Sequence, residues 1–230
     1  MDQFRISRAN RYEREVLALE QTEKLPGRVV FYGDSSFTRW STAYGMKPLE
    51  EVITGVNGEP IAVNHGLGGS TSEDLLYYYD RMVRAWQPKA LVLHAFANDY
   101  CYGYSPREIM GIQERIFAYA RCDMPGIRIY ACQVRPIIKD LGDIVHWRAY
   151  MARVNEYNGL LKDYCDRHDD CVLVDHIQSP LFFREPQEAG SYEGVRRDIF
   201  VEDQVHFNQL GYDLYGDFFG EILKQERLAR

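Results

Sequence analysis

A hydroxyl, an imidazole and a carboxylate are enough to build a covalent catalyst, and the chain offers one set at suggestive places. Ser35 stands in Gly33-Asp34-Ser35-Ser36, directly after the apolar run Arg28-Val-Val-Phe-Tyr32. Asp203 and His206 stand three residues apart near the other end. In such a set the hydroxyl attacks, the imidazole removes its proton, and the carboxylate fixes the tautomer and stabilises the imidazolium. On one helical turn, spacing i, i+3 puts two side chains on one face, so a single segment could deliver base and orienter together. Ser35 alone would serve equally well as a helix N-cap. The surrounding residues lack the second glycine of G-x-S-x-G, so the α/β-hydrolase elbow is absent.

The elements that must position these residues follow from hydrophobic pattern. Short apolar runs of strand character occupy 28–32, 90–94, 127–132 and 171–175, with a weaker one at 61–64. Near-continuous apolar runs suit strands buried on both faces. Helical stretches lie between them at about 11–23, 72–86, 105–121, 144–167 and 209–227, the first extending back to about residue 5. Ser105-Pro106-Arg107-Glu108 reads as a capping box with proline at the first helical position, which marks that boundary sharply. Alternation of strand and helix implies a parallel sheet of about five strands in a three-layer α/β/α sandwich, one domain over residues 1–230. Ligands of such sheets bind beyond the carboxyl ends of the strands. Those ends carry Asp34-Ser35, then Asn64 to Thr71, then Phe96-Ala97-Asn98-Asp99.

The 230 residues include 27 Lys plus Arg against 34 Asp plus Glu, a net charge of −7 and the wrong sign for tracking nucleic acid. The charged N-terminus offers no apolar signal segment, and no run is long enough to span a bilayer, so a cytoplasmic enzyme is expected. Five cysteines without a C-x-x-C pair argue for reduced thiols, and neither a metal site nor a cofactor is expected. Oligomeric state is left open. Tyrosines are abundant, 17 against 11 Phe and 3 Trp. Their mixed character suits a half-wet cleft, and Tyr32, Tyr100, Tyr102, Tyr104 and Tyr212 all neighbour the strand-end residues.

Taken in order, the blocks Gly33-Asp34-Ser35, Asn64 to Thr71, Asn98-Asp99 and Asp203-x-x-His206, with Asn208 and Gly211-Tyr212, resemble the SGNH or GDSL hydrolases. The resemblance runs from about residue 28 to residue 220, and is closest to a branch with a Ser-rich first block. It implies the flavodoxin-like fold of that family and an ester hydrolase with Ser35 as nucleophile, His206 as base and Asp203 as orienter. It also implies an oxyanion hole from the N–H groups of Ser35 and Gly69 and the side-chain amide of Asn98. Such donors are needed because a tetrahedral intermediate places negative charge on the former carbonyl oxygen.

Ser36 replaces the name-giving leucine, and Phe96-Ala97 replaces the usual glycine of the third block. A ring at Phe96 would narrow the cleft or change which acyl group fits, and Asp34, Phe96 and Tyr100 are expected to touch substrate. The expected substrate is a small acyl ester such as an acetylated carbohydrate. Alternatives are a lipid or thioester substrate, acyl transfer, or a non-catalytic domain that binds carbohydrate or nucleotide. Gly66-Leu-Gly-Gly-Ser-Thr71 is a near miss for the dinucleotide fingerprint, lacking its last glycine. His65, His94, His146, His168 and the Asp175-His176 pair are expected to be structural or solvated, and Asp99 structural.

Overall fold

The computed structural model describes residues 10–137, 144–175, 181–183, 185, 191–224 and 226. Five strands pair in parallel: β1 (Val29–Gly33), β2 (Ala62–Gly66), β3 (Ala90–His94), β4 (Arg128–Cys132) and β5 (Cys171–Val174), in the order β2-β1-β3-β4-β5. β1 and β3 are buried along their whole length, whereas edge strands β2 and β5 are only half buried. The apolar runs of β1 and β3 lie inside and the weaker run IAVN at one edge, while the apolar run of β5 takes the other edge.

Among the described residues eight α-helices accompany the strands: α1 (Glu13–Glu20), α2 (Ser35–Thr38), α3 (Leu49–Val52), α4 (Ser72–Met82), α5 (Ala97–Cys101), α6 (Pro106–Asp123), α7 (Ile144–Cys165) and α8 (Gln209–Ile222). α4 packs on α6, α6 on α7, and α1 against α4; α3 packs on α8. Successive β1 residues reach opposite layers, as strand geometry requires. Phe31 meets Phe219 of α8 with ring centroids 5.0 Å apart, while the Tyr32 hydroxyl donates to the Leu75 carbonyl of α4 at 2.7 Å. The result is a five-stranded parallel sheet flanked by helices on both sides. No helix among the described residues is long and apolar enough to cross a membrane.

The capping box at Ser105 forms as its sequence directs: Ser105 Oγ accepts from Glu108 N at 3.3 Å, and Glu108 Oε2 accepts from Ser105 N at 2.8 Å. A second box, Thr71 with Asp74, opens α4 immediately after the glycine-rich block. Other boundaries moved. The helix expected over 72–86 stops at Met82 and finishes as a 3₁₀ turn, Arg84–Trp86, and the first helix begins at Glu13. Short helices α2, α3 and α5 appear where loops were expected, because one or two turns leave too little periodicity to read. Residues 5–9, His176 and residue 227 lie outside the described residues. Cys165 and Cys171 bring their sulfurs to 3.1 Å across the turn between α7 and β5.

The strand order reverses between β1 and β3, and their carboxyl ends form the crevice of a doubly wound sheet. At that point Gly33 pairs with His94 in register, and a Cβ on Gly33 would sit 2.4 Å from the His94 carbonyl oxygen. Gly33→Ala must push the two central strands apart, an overpacking cost of about 1–3 kcal/mol. At about 2–4 °C per kcal/mol for a domain of this size, thermal denaturation should show a clear fall in Tm; an unchanged Tm would contradict the contact.

Candidate active site

Ser35 is the first residue of α2, and the cap is Asp34 rather than Ser35: Asp34 Oδ1 accepts from Ser36 N at 2.8 Å. That arrangement leaves the Ser35 side chain free for another partner. Its Oγ lies 2.9 Å from His206 Nε2, and His206 Nδ1 lies 2.6 Å from Asp203 Oδ2. The three side chains thus form one hydrogen-bonded chain across 168 positions of sequence separating Ser35 and Asp203, a count given by their numbers.

The segment that carries base and orienter is not a helical turn, contrary to expectation. Asp203 Oδ1 accepts from the backbone N–H groups of Val205 and His206, each at 2.9 Å, and Gln204 between them has φ 55°. A side-chain acceptor thereby folds the chain back on itself, with one non-glycine residue in the left-handed region. Asn208 closes the segment as N-cap of α8, accepting from Gly211 N at 3.0 Å and donating to the carbonyls of Asp198 and Phe200 at 2.8 and 3.1 Å. Tyr212 ties α8 back to the nucleophile turn, its hydroxyl donating to the Ser36 carbonyl at 3.1 Å. Asn64 holds the far end of α2, donating to the carbonyls of Phe37 and Trp40 at 2.7 and 3.2 Å.

Electrostatics around this chain are set by a few buried and half-buried charges. Burial alone would raise the Asp203 pKa, but N–H groups of His206 and Val205 and the His206 ring outweigh it and hold the carboxyl at about 2. His206 is driven below its ordinary range, first by burial and then by the charges of Arg135 and Arg39, against the opposing pull of Asp203. Arg39 Nη1 stands 3.4 Å from Asp203 Oδ2. Asp34 is buried too, yet His94, the Ser36 N–H and Arg135 bring it down to about 2. His94 Nδ1 lies 3.4 Å from Asp34 Oδ1.

The cleft at Ser35 measures about 110 Å³, room for roughly four water molecules. Ser35, His206, Asn98, Asp34 and His94 line it. Gly69 does not line it; this residue sits in the turn before α4 with φ 80°, and its N–H makes no hydrogen bond among the described residues. The Ser35 N–H is likewise without an acceptor there. Asn98, on α5, donates through Nδ2 to the Ser70 carbonyl at 3.0 Å, which links the third block to the second.

Of the three expected substrate contacts, Asp34 lines the cleft, whereas Phe96 and Tyr100 do not. Phe96 is fully buried, its ring centroid 5.0 Å from that of Tyr157 and 6.2 Å from that of Tyr150. Tyr100 stacks on Phe96 and also does not line the cleft. The physical reason is that β3 ends in apolar residues whose burial outweighs exposure at the rim. The other tyrosines are also mostly packing residues. Tyr104 is buried against Glu73, and only Tyr102 of that trio is exposed. Tyr150 of α7 does line the cleft, as do Val134, Arg135 and Ile137 after β4. No spacing marked these residues; the one signal was position, since they follow a strand at its carboxyl end.

Two other histidines lie within hydrogen-bond reach of backbone carbonyls. His65 Nδ1 lies 2.6 Å from the Met82 carbonyl, and burial takes the ring down to about 4 despite that bond. His168 Nδ1 lies 2.7 Å from the Tyr164 carbonyl. Among the described residues no group of three or more His, Cys, Asp or Glu could hold a metal ion. Asp99 is fully buried and accepts from Ser72 N at 2.8 Å.

The GDSL-like Lipase/Acylhydrolase family profile matches residues 31–214. No curated protein matches the chain by sequence. A candidate acylhydrolase from Bacteroides fragilis superposes with a TM-score of 0.69 at 20% identity, over 99% of this chain and 100% of that one. A GDSL-like lipase from Bacteroides thetaiotaomicron gives 0.68 at 19% identity, over 94% and 97%. An acetylxylan esterase from Geobacillus stearothermophilus, solved as a catalytic mutant, gives 0.63 at 15% identity, over 90% and 100%. At such identities the superpositions speak for the fold.

Asp99 supplies a test of the site's electrostatics. Burial raises its carboxyl to about 7, the Ser72 N–H only partly countering, with Asp34 adding repulsion. A folded-state value above the unfolded value of about 3.9 means stability that is complete below pH ~4 and lost as pH rises through about 7. Asp99→Asn keeps an acceptor for Ser72 and cannot ionise, so its Tm should fall less than that of the wild type between pH 5 and pH 8. Parallel falls would refute the assignment.

Proposed function

The chain belongs to the GDSL-like lipase/acylhydrolase family and is a serine esterase by class, and from that premise we propose that it hydrolyses small acyl esters through an acyl-enzyme on Ser35. The observation that carries the proposal is the unbroken chain from Asp203 through His206 to Ser35 Oγ, at 2.6 and 2.9 Å.

In the proposed mechanism, Ser35 Oγ attacks the ester carbonyl as its proton passes to His206 Nε2. Asp203 keeps the other imidazole proton on Nδ1 and stabilises the imidazolium. The developing oxyanion is received by the N–H groups of Ser35 and Gly69 and by Asn98 Nδ2, which carries a second hydrogen beyond the one given to Ser70. Collapse expels the alcohol, protonated by His206, and water enters with His206 again as base to release the acid and restore Ser35. Gly69 and Ser35 suit the role because their N–H groups have no competing acceptor among the described residues.

A cleft of about 110 Å³ favours a short acyl group. An acetylated carbohydrate is the proposed substrate class, a reading supported by that size and by acetylxylan esterases among proteins of the same fold.

Short-chain 4-nitrophenyl esters and a fluorophosphonate probe test this. Wild type should turn over the acetate and take up the probe, Ser35→Ala and His206→Ala should do neither, and persistence of labelling in Ser35→Ala would sink the nucleophile. Asp203→Asn should lower kcat by about 10⁴ by favouring the wrong tautomer, and Asn98→Ala by about 10² to 10³ through loss of one oxyanion donor. The base acts when neutral, and its pKa is lowered. The acid limb of kcat/KM should therefore fall below the ordinary histidine value of about 6.5, and a limb above that value would contradict the environment described.

A further inference from the structure

The proposed chemistry leaves two buried donors of the same cleft without a role. Arg135 is 4% exposed, and its Nη2 donates to the Val205 carbonyl at 2.8 Å. Its guanidinium carbon lies 4.6 Å from the centroid of the Phe207 ring, so the side chain grips both neighbours of His206. Nη1 of the same guanidinium is buried and has no hydrogen-bond partner among the described residues. Tyr150, 1% exposed, has a hydroxyl in the same condition. Both residues line the cleft with Ser35 and His206.

A buried cation nitrogen without an acceptor costs free energy, and folded proteins leave few such groups without a reason. Asp34 compensates part of the Arg135 charge, but its Oδ1 is engaged by the Ser36 N–H and faces His94. Burial pushes the Tyr150 phenol upward, so it remains a donor at any working pH. Both residues border one small cleft, and a guanidinium N–H and a phenol O–H are donors of the kind that match the two oxygens of a carboxylate.

We propose that Arg135 and Tyr150 form an anion subsite that selects esters bearing a carboxylate close to the scissile bond. The assignment rests on the esterase reading, because the shared cleft is what makes the bound group part of a substrate. Selection arises at contact and not by attraction from a distance: the chain carries a net charge of −7, which does not draw anions toward it. The alcohol side and the acyl side of the ester can each supply the carboxylate, and both are within the chemistry assigned.

Two pairs of near-isosteric esters test the proposal, followed by pH-stat titration: monomethyl succinate against methyl pentanoate for the acyl side, and 2-acetoxypropanoate against sec-butyl acetate for the alcohol side. In one pair the carboxylate member should have kcat/KM about 10- to 100-fold higher, the range that one or two charge-assisted hydrogen bonds supply. Arg135→Gln and Tyr150→Phe should collapse that ratio, and Arg135→Lys should restore part of it. Because Arg135 also holds Val205 and Phe207, a purely structural role would slow both members of a pair together and leave the ratio untouched, which would overturn the subsite. So would ratios near one for both pairs in the wild type. If the wild type turns over no ester at all, the esterase reading fails, and calorimetry with malonate then decides the subsite separately. Binding that Arg135→Gln weakens at least tenfold upholds it, and absence of binding overturns it.

Discussion

The close approach of β1 and β3 at their carboxyl ends is the constraint on which the rest of the site depends. Gly33 lies so near the His94 carbonyl that no side chain fits, and the Asp34 N–H donates to that same carbonyl at 3.3 Å. Two central strands pinned at this point bring the turn after β1 alongside the turn after β3. Ser35 and Asn98 therefore share a cleft although each belongs to a different βα unit. Were the strands a side chain's width further apart, neither the nucleophile nor the amide would need to move in its own turn for the geometry between them to be lost.

Around that pin two carboxylates, Asp34 buried and Asp203 half-buried, are each answered by fixed donors and by opposite charge. Asp34 is answered by an N–H, by His94 and by Arg135; Asp203 is answered by two N–H groups, the His206 ring and Arg39. The same cations that favour these carboxylates disfavour a proton on His206, which keeps the imidazole available as a base. Arg135 has the widest reach, since it touches both neighbours of His206 and faces the cleft. Preorganised groups of this kind cost no rearrangement as charge develops in a reaction, and this is where they act most strongly.

Local signals in the chain were legible where their cause was local. The capping box at Ser105 is complete within four residues, and it forms as read. Continuous apolar runs marked strands that must be covered on both faces, and the central strands are buried accordingly. The Asp203 and His206 pairing was legible in spacing, but its conformation was not. A side-chain acceptor and a left-handed Gln204, rather than a helical turn, bring the two side chains together. The direction of the Phe96 and Tyr100 rings was not legible either, because a position after a strand does not say whether a ring turns toward the cleft or into the packing.

The sequence by itself determined the strand and helix alternation, the parallel sheet it requires, and the order in which a serine, an asparagine and an Asp-x-x-His segment reach the strand ends. These follow from periodicity and chain order, which need no knowledge of distant neighbours. Only the tertiary structure decided which side chains face the cleft. Tyr150 and Arg135 lie on α7 and after β4, in segments whose local pattern is ordinary, and packing alone turns them toward Ser35. A cleft is a property of several segments at once, and the direction of each side chain within it is set by what the others already fill.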